Sequence, residues 1–265
     1  MRELPRYYSS LEPFRETFLK SRCILTYHHV GPRPRGVRIK GLFVGPRLFA
    51  RQMEELSEEK FSARTYRDPA KANLSGQREV LLTFDDGFVD VLENALPILK
   101  QYNFCSIQFL VADLLGRTNE WQQKAGDISQ PLMNEEQIRE WLSAGQEIGA
   151  HSLTHPWLTR IPLMQAKEEI TASKKKLEDW FGRPVEHFCY PYGDWNPAVR
   201  DLVQEAGYKT ACTTERGSNE AGQDLFALKR FTVRYPTRSW KSVAAWLKAR
   251  VWSRAASVAR SSSNW

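Results

Sequence analysis

Segments with the spacing of strands alternate with segments of helical spacing along most of this chain. Residues 80–84 are a nearly continuous apolar run that ends at Asp-Asp-Gly, which is typical of a strand buried on both faces of a parallel sheet. Residues 163–181 have helical spacing and are followed by Gly182, a common helix stop. Repetition of this kind predicts an α/β fold with a parallel sheet.

Length and composition agree with one globular domain. The chain has 265 residues, of which 42% are hydrophobic, so it is neither a low-complexity nor a wholly disordered chain. A barrel of alternating strands and helices uses about 250 residues as a single unit, and we therefore expect one main domain. The expected strands are 23–28, 80–84, 105–111, 147–150, 187–190, 208–213 and 228–233. The expected helices are 48–56, 89–101, 134–143, 163–181 and one that begins at Asn196.

The positive charge of the chain is concentrated at its end. The formal net charge is +7, and from Arg238 onward there are six basic residues and no acidic one. The remainder is therefore close to neutral. This distribution argues against a nucleic-acid groove across the body of the protein, so we expect no nucleic-acid partner.

Four polar clusters fall at the ends of expected strands. They are Asp85-Asp86, His151 to His155, Tyr190 to Gly193, and Tyr27 to His29. In parallel α/β folds the carboxyl ends of the strands meet at one edge, where ligands bind and catalysis takes place. The coincidence predicts a functional site there.

The histidine and aspartate clusters together indicate a metal site. His151 and His155 are four apart and can present both rings on one side of a helical turn. With one carboxylate they form a two-His, one-Asp set, and catalytic zinc sites use three protein ligands and leave a position for water. Asp85 and Asp86 can divide the work of ligand and proton acceptor. Taken alone, Asp-Asp-Gly is also common in turns, and a histidine pair also occurs on helix surfaces.

These motifs resemble those of a known family. Thr83-Phe-Asp-Asp-Gly87 followed by His151-Ser-x-x-His155 resembles the first two signature motifs of the polysaccharide deacetylases, the NodB-homology proteins of carbohydrate esterase family four. The likeness spans roughly residues 22–235. It implies a distorted, incompletely closed (β/α) barrel that hydrolyses acetyl groups from N-acetylated, and sometimes O-acetylated, sugars. It further implies that Asp85 is the general base and that Asp86, His151 and His155 bind the metal.

The third motif departs from the family pattern. Where that pattern usually begins with arginine, this chain has Cys189, followed by Tyr190-Pro191-Tyr192. The arginine normally orients the base, so something else must position Asp85. By the resemblance, the Tyr192 backbone N–H donates to the oxyanion, and Tyr190 and Pro191 contribute to substrate binding.

The general acid is also missing from its usual place. The family's C-terminal strand normally ends in a histidine, but no histidine follows His187, which begins a strand and is interpreted as structural. Tyr27-His28-His29-Val30 resembles the opening motif of the poly-N-acetylglucosamine deacetylases, in which the motif order is permuted. By that analogy His28 protonates the leaving amine. Alternatively, His28 only caps a strand.

The expected organisation is a helical N-terminal extension (1–21), a deacetylase-like barrel (22–236) and a basic amphipathic tail (237–265). The tail fits a surface-lying membrane anchor or a last helix packed on the barrel. The chain has no apolar signal segment, no membrane-spanning run and no C-x-x-C pair. We therefore expect a cytoplasmic protein, with peripheral attachment at the inner membrane face as an option.

The expected function is metal-dependent removal of an N-acetyl group from a sugar in a polysaccharide or lipid-linked glycan. An N-acetylated glycan is thus the expected partner. Zn²⁺ is the favoured cofactor for a two-His, one-Asp set, with Co²⁺, Ni²⁺ or Fe²⁺ as alternatives. Two other functions stay open: a deformylase or other amidase acting on a lipid-linked sugar, and a non-catalytic carbohydrate-binding barrel.

Overall fold

A curved parallel sheet forms the centre of the molecule. The computed structural model of the chain describes residues 4–64, 78–124 and 126–234. The strands of the sheet in this part are β1 (Cys23–Tyr27), β4 (Ser62–Ala63), β5 (Glu79–Phe84), β6 (Ile107–Leu110), β7 (Glu147–Ala150), β8 (His187–Cys189), β9 (Thr210–Cys212) and β10 (Phe231–Thr232). Their order across the sheet is β10-β1-β5-β6-β7-β8-β9, with β4 paired to β5. A separate parallel pair consists of β2 (His29–Val30) and β3 (Phe43–Val44). This arrangement confirms the predicted incomplete (β/α) barrel.

Helices precede β1 and lie in the connections between most consecutive strands of the main sheet, since parallel pairing requires a crossover. They are α1 (Arg15–Lys20), α2 (Pro46–Glu58), α3 (Val89–Asn94), α4 (Leu96–Tyr102), α5 (Glu120–Lys124), α6 (Glu135–Ser143), α7 (Leu163–Phe181) and α8 (Pro197–Glu205). Asn134 and Gln137 form a reciprocal capping box at the start of α6, and Gly182 ends α7 in the left-handed conformation (φ 63°).

The single helix expected over 89–101 is in fact two. α3 ends at Asn94, and α4 begins at Leu96 with Pro97 in its first turn. Proline has no N–H to continue the hydrogen-bond ladder of a preceding helix and is tolerated in a first turn. Helical periodicity alone did not reveal this break.

Alternation along the strands produces two apolar clusters. The smaller lies on the face of the sheet opposite the helix-covered one and contains Ile24, Leu81, Ile107, Phe109, Cys189, Cys212 and Leu228. The larger lies between the sheet and the helices, and it receives the neighbouring residues Leu25, Val80 and Leu82. Because successive side chains of a strand point to opposite faces, the two clusters fix which residues face the interior of the barrel.

The N-terminal segment packs on the last strand. Phe14 contacts Phe231 with ring centroids 5.2 Å apart, and Phe18 stacks on the same ring at 6.1 Å. The compact unit ends at Arg234, so the tail predicted for 237–265 lies outside the described residues. None of the helices in the described part combines the length and hydrophobicity needed to cross a bilayer.

Candidate active site

The two aspartates occupy a sharp turn at the end of β5. The Asp85 N–H donates to the Tyr27 carbonyl (3.0 Å), which continues the pairing with β1. Asp86 then takes a left-handed conformation (φ 76°) and Gly87 follows with φ 91°. Left-handed backbone is costly for a residue other than glycine and is concentrated at functional sites. The turn directs the neighbouring carboxylates of Asp85 and Asp86 to different partners.

The two histidines are brought together by a loop after β7. Ser152 (φ 66°) and His155 (φ 65°) are both left-handed, and the His155 N–H donates to Ser152 Oγ (3.0 Å). The expectation that the pair lies on a helical turn was therefore wrong. The outcome for the rings is the same, because Nε2 of His151 and Nε2 of His155 each lie 3.4 Å from Oδ1 of Asp86.

A buried carboxylate from α7 holds this loop. Glu169 accepts hydrogen bonds from the N–H groups of Leu153 and Thr154 (2.9 Å each) and from Thr154 Oγ1 (2.6 Å). Charge-assisted bonds of this kind are among the stronger ones in proteins. The sequence analysis missed Glu169, because one glutamate in a polar helix gives no signal of its burial.

The donor set of Asp86, His151 and His155 fits a divalent cation. One ligand atom from each lies within 4.8 Å of the others, and all three residues are buried. His151 Nδ1 lies 2.6 Å from the Cys189 carbonyl. A carbonyl only accepts, so Nδ1 carries a proton and Nε2 faces the site. Burial opposes charging of this ring, but Cys189 and Asp86 raise the pKa of His151, so a cation would bind in place of the proton on Nε2. Burial lowers the pKa of His155, against the attraction of Asp86, which favours the neutral ring that binds metals.

A second group of donors is less suited to a cation. Asp85, His151 and Cys189 also lie within the same distance. The guanidinium of Arg230 contacts both Asp85 and the Cys189 sulfur (3.2 Å), so a cation there would be repelled. We therefore assign the cation to the Asp86 set.

Arg230 is the partner that Asp85 needs. Its two terminal nitrogens donate to the two carboxylate oxygens of Asp85, each at 2.8 Å, while Nε donates to the Thr213 carbonyl (2.8 Å). Arg230 is 1% exposed. Burial alone would raise the pKa of Asp85, but the guanidinium outweighs burial and holds that pKa below its usual range. The only signal in the sequence was an arginine inside the apolar segment 228–233.

The two neighbouring histidines after β1 point to different places. His28 Nε2 lies 3.8 Å from Asp85 Oδ2, and the side chain is 20% exposed. Burial lowers the pKa of His28, although Asp85 attracts a proton to it. His29 is instead stacked between Phe43 and Phe88, with its Nδ1 3.0 Å from an Asp90 oxygen. Of the pair, His28 is the one brought to Asp85.

The third motif contributes a strained turn. Tyr192 is left-handed (φ 59°), the residue is 37% exposed, and its ring meets the His155 ring edge-on at 4.5 Å. Tyr190, in contrast, has no exposed surface, and its hydroxyl donates to the Phe226 carbonyl (2.9 Å). Pro191 is also buried. Contrary to the prediction that Tyr190 and Pro191 contact the substrate, both side chains are used in packing.

Aromatic rings extend the rim of the site. Trp121 stacks on the ring of His155 at 4.2 Å, and Trp157 stacks on Tyr192 at 4.1 Å. The guanidinium of Arg160 covers Trp157 at 4.0 Å. The site thus combines three metal donors with an ionised carboxylate, a histidine beside it and an exposed aromatic edge. This combination is suited to hydrolysis at a polarised carbonyl.

Comparison with known proteins agrees with this geometry. YxkH of Bacillus subtilis, named as a polysaccharide deacetylase, is 26% identical over 85% of this chain and 76% of its own length. The poly-beta-1,6-N-acetyl-D-glucosamine N-deacetylase of Staphylococcus aureus is 24% identical over 59% of this chain, which spans only 55% of that protein. The structure of IcaB from Ammonifex degensii superposes with a TM-score of 0.71 and 25% identity, covering 86% of this chain and 97% of that one. The family model for polysaccharide deacetylase matches residues 73–211, and the chain therefore belongs to the polysaccharide deacetylase family.

Proposed function

We propose that this protein is a metal-dependent hydrolase that removes the N-acetyl group from an N-acetylated sugar within a glycan. One observation carries the proposal. Asp86, His151 and His155 form a donor set beside a second carboxylate, that of Asp85, which a buried guanidinium keeps ionised. A protein that only binds carbohydrate does not need such a set, because groups that activate water contribute nothing to holding a sugar.

The chain's own groups divide the reaction between them. A divalent cation held by Asp86, His151 and His155 would supply a Lewis acid for the acetyl carbonyl and for water. Asp85 accepts a proton from the attacking water, and the Tyr192 N–H donates to the oxygen that becomes negative. When the C–N bond breaks, His28 gives a proton to the departing nitrogen. Acetate and an amino sugar result.

The names of the relatives favour N-acetylglucosamine as the sugar. The Staphylococcus aureus relative is named for poly-beta-1,6-N-acetyl-D-glucosamine, and another relative, from Bradyrhizobium, is named a chitooligosaccharide deacetylase. The chain spans only 55% of each of these proteins. Zinc is our choice of cation, because two imidazoles and one carboxylate are typical zinc ligands.

The first test measures acetate released from chitooligosaccharides. We expect activity that a chelator abolishes and zinc restores, and Asp85→Asn should lower kcat by about 10²- to 10⁴-fold. Its bound metal, measured by elemental analysis, should equal that of the wild type. Asp201→Asn removes a 60% exposed carboxylate and serves as the control. Full activity of Asp85→Asn would remove the assignment of the base.

The second test concerns the acid. His28→Ala should lower kcat on the amide substrate by about 10²-fold or more, with metal content unchanged. A substrate whose leaving group needs no protonation, such as an acetyl ester of a nitrophenol, should be affected much less. Unchanged turnover of the amide would show that another group delivers the proton. Formate released from N-formyl sugars in preference to acetate would favour the deformylase instead.

A further inference from the structure

The segment between β2 and β3 is strongly basic. Residues 31–42, termed here the basic loop, contain four cations, Arg33, Arg35, Arg38 and Lys40, and no acidic residue. All four side chains are exposed. The side chains of Arg33, Arg35 and Lys40 form no ion pair or hydrogen bond with any other residue in the described ranges. Their charge is therefore available to a partner from outside.

The basic loop begins and ends beside the candidate active site. The two strands that border it meet where His29 stacks on Phe43 (3.9 Å), and His29 directly follows His28. Gly31 packs so closely on Asp90 that an added Cβ would lie 2.9 Å from its carboxylate. Arg33 is five residues beyond His28, so even a fully extended chain keeps their Cα atoms within about 18 Å.

Hydrogen bonds to a neighbouring carboxylate hold the backbone of the basic loop in its second half. The carboxylate of Asp127 accepts from the N–H groups of Arg38 (2.9 Å) and Ile39 (3.1 Å). This carboxylate and that of Asp90, beside Gly31, both lie at the basic loop, and the carboxylate of Asp127 is occupied by backbone donors. On the other side, the Arg234 side chain lies against Gly41 and adds a further cation. The local charge therefore stays positive.

We propose that the basic loop binds an anionic group of the substrate, so that the preferred substrate is an N-acetylated glycan carrying phosphate or carboxylate groups. This inference rests on the proposed function and narrows it. Each deacetylation exposes an amine that takes up a proton, so a neutral polymer becomes more cationic with every turnover. The loop would repel such a product. On an anionic glycan, the phosphate or carboxylate groups already present offset the positive charge of the new ammonium groups.

The range of the interaction fits this assignment. The Debye length is about 10 Å at 0.1 M salt, so the exposed cations attract anionic groups of the glycan that come within about that distance of the basic loop. Attraction between opposite charges at a cleft raises association rates by about tenfold or more at low salt and declines as salt is added. Both effects are measurable in kcat/KM.

The test compares three substrates of the full-length, metal-loaded protein. They are a neutral chitooligosaccharide, an oligosaccharide of alternating N-acetylglucosamine and glucuronate, and an N-acetylglucosamine oligosaccharide linked to a diphosphate. We expect kcat/KM for one or both anionic substrates to exceed that of the neutral one by roughly tenfold at low salt and to lose this advantage at high salt. Which anionic substrate is preferred distinguishes phosphate from carboxylate.

Matched charge reversals locate the effect. Arg33→Glu/Arg35→Glu should remove the advantage of the anionic substrate. Lys100→Glu/Arg183→Glu reverses two exposed charges that precede β6 and β8, at the opposite edge of the sheet, and should keep it. Equal kcat/KM for neutral and anionic substrates, or the same loss in both variants, would overturn the inference while acetate release still supports the deacetylase. No acetate from any substrate overturns both.

Discussion

The pair of Arg230 and Asp85 permits a quantitative prediction of stability. The two side chains are 1% and 3% exposed and share two hydrogen bonds of 2.8 Å. Arg230→Met keeps most of the side-chain volume but leaves the Asp85 carboxylate buried without its cation. Removing one partner of a buried pair costs about 3–5 kcal/mol, because the other charge stays desolvated. We expect the free energy of unfolding to fall by that amount.

The opposite single change should cost less. In Asp85→Asn the guanidinium still donates to the Thr213 carbonyl and to Thr83 Oγ1, so we expect a loss of about 2–3 kcal/mol. The double variant Asp85→Asn/Arg230→Met has no buried charge at this position. Its loss should therefore be smaller than the sum of the two single losses by at least about 2 kcal/mol.

Urea denaturation in the presence of a chelator is the appropriate assay, because bound metal would stabilise the folded state of each variant differently. The midpoint and slope give the free energy of unfolding for the wild type, both single variants and the double variant. If the single losses add to within about 0.5 kcal/mol, the two residues do not act as a pair, and the positioning of Asp85 by Arg230 is refuted.

Three further predictions concern pH, backbone strain and the tail. Burial lowers the pKa of His187 from 6.5 to about 4, so between these values the unfolded chain binds a proton that the folded chain does not. Through this residue, the free energy of unfolding should fall by about 2 kcal/mol from pH 7 to pH 5. Urea titrations at the two pH values should show a smaller fall for His187→Asn than for the wild type. An equal fall would contradict the conclusion that the lowered pKa of His187 causes it. Gly193→Ala would place a Cβ 2.7 Å from the Thr214 backbone nitrogen at φ 71°, and we expect it to lower the free energy of unfolding by about 2–4 kcal/mol. The control, Gly145→Ala, has φ 80° and open space around it and should lower the free energy of unfolding by about 1 kcal/mol. Equal losses of stability in thermal denaturation would show that Thr214 does not limit the turn. Finally, the full-length chain should float with anionic liposomes more than a chain ending before Arg238, and equal flotation would defeat the membrane-anchor interpretation of the tail.

The sequence sufficed for those parts of the fold that local patterns determine. The helix over 163–181 has the predicted bounds, because apolar spacing and the Gly182 stop both act within one segment. Strand bounds were less accurate, and 228–233 shrinks to Phe231–Thr232. The length of a short strand depends on which neighbour it pairs with, and the pairing partner is distant in the sequence.

The same division holds for the site. Asp86, His151 and His155 could be identified as a set because each follows a strand, and the carboxyl ends of parallel strands meet at one edge. Arg230 and Glu169 could not be identified in this way, since the role of each depends on contacts with residues elsewhere in the chain. Asp85 is 145 positions from Arg230, and the N–H groups that Glu169 binds are 15 and 16 positions from it. The packing of Tyr190 was missed for a similar reason, because its hydroxyl donates a hydrogen bond to the carbonyl of Phe226, which is 36 positions away in the chain.

The position of Arg230 in the sequence has a consequence for biosynthesis. The guanidinium sits just before the last strand of the sheet, which docks beside β1 and two positions from β5. During translation the three metal donors, Asp85 and His28 therefore emerge from the ribosome well before Arg230, the counter-ion of Asp85. A nascent or prematurely terminated chain that ends before residue 230 has the donors for a cation but lacks an oriented carboxylate, so hydrolysis waits until Arg230 and the strand that follows it have been synthesised.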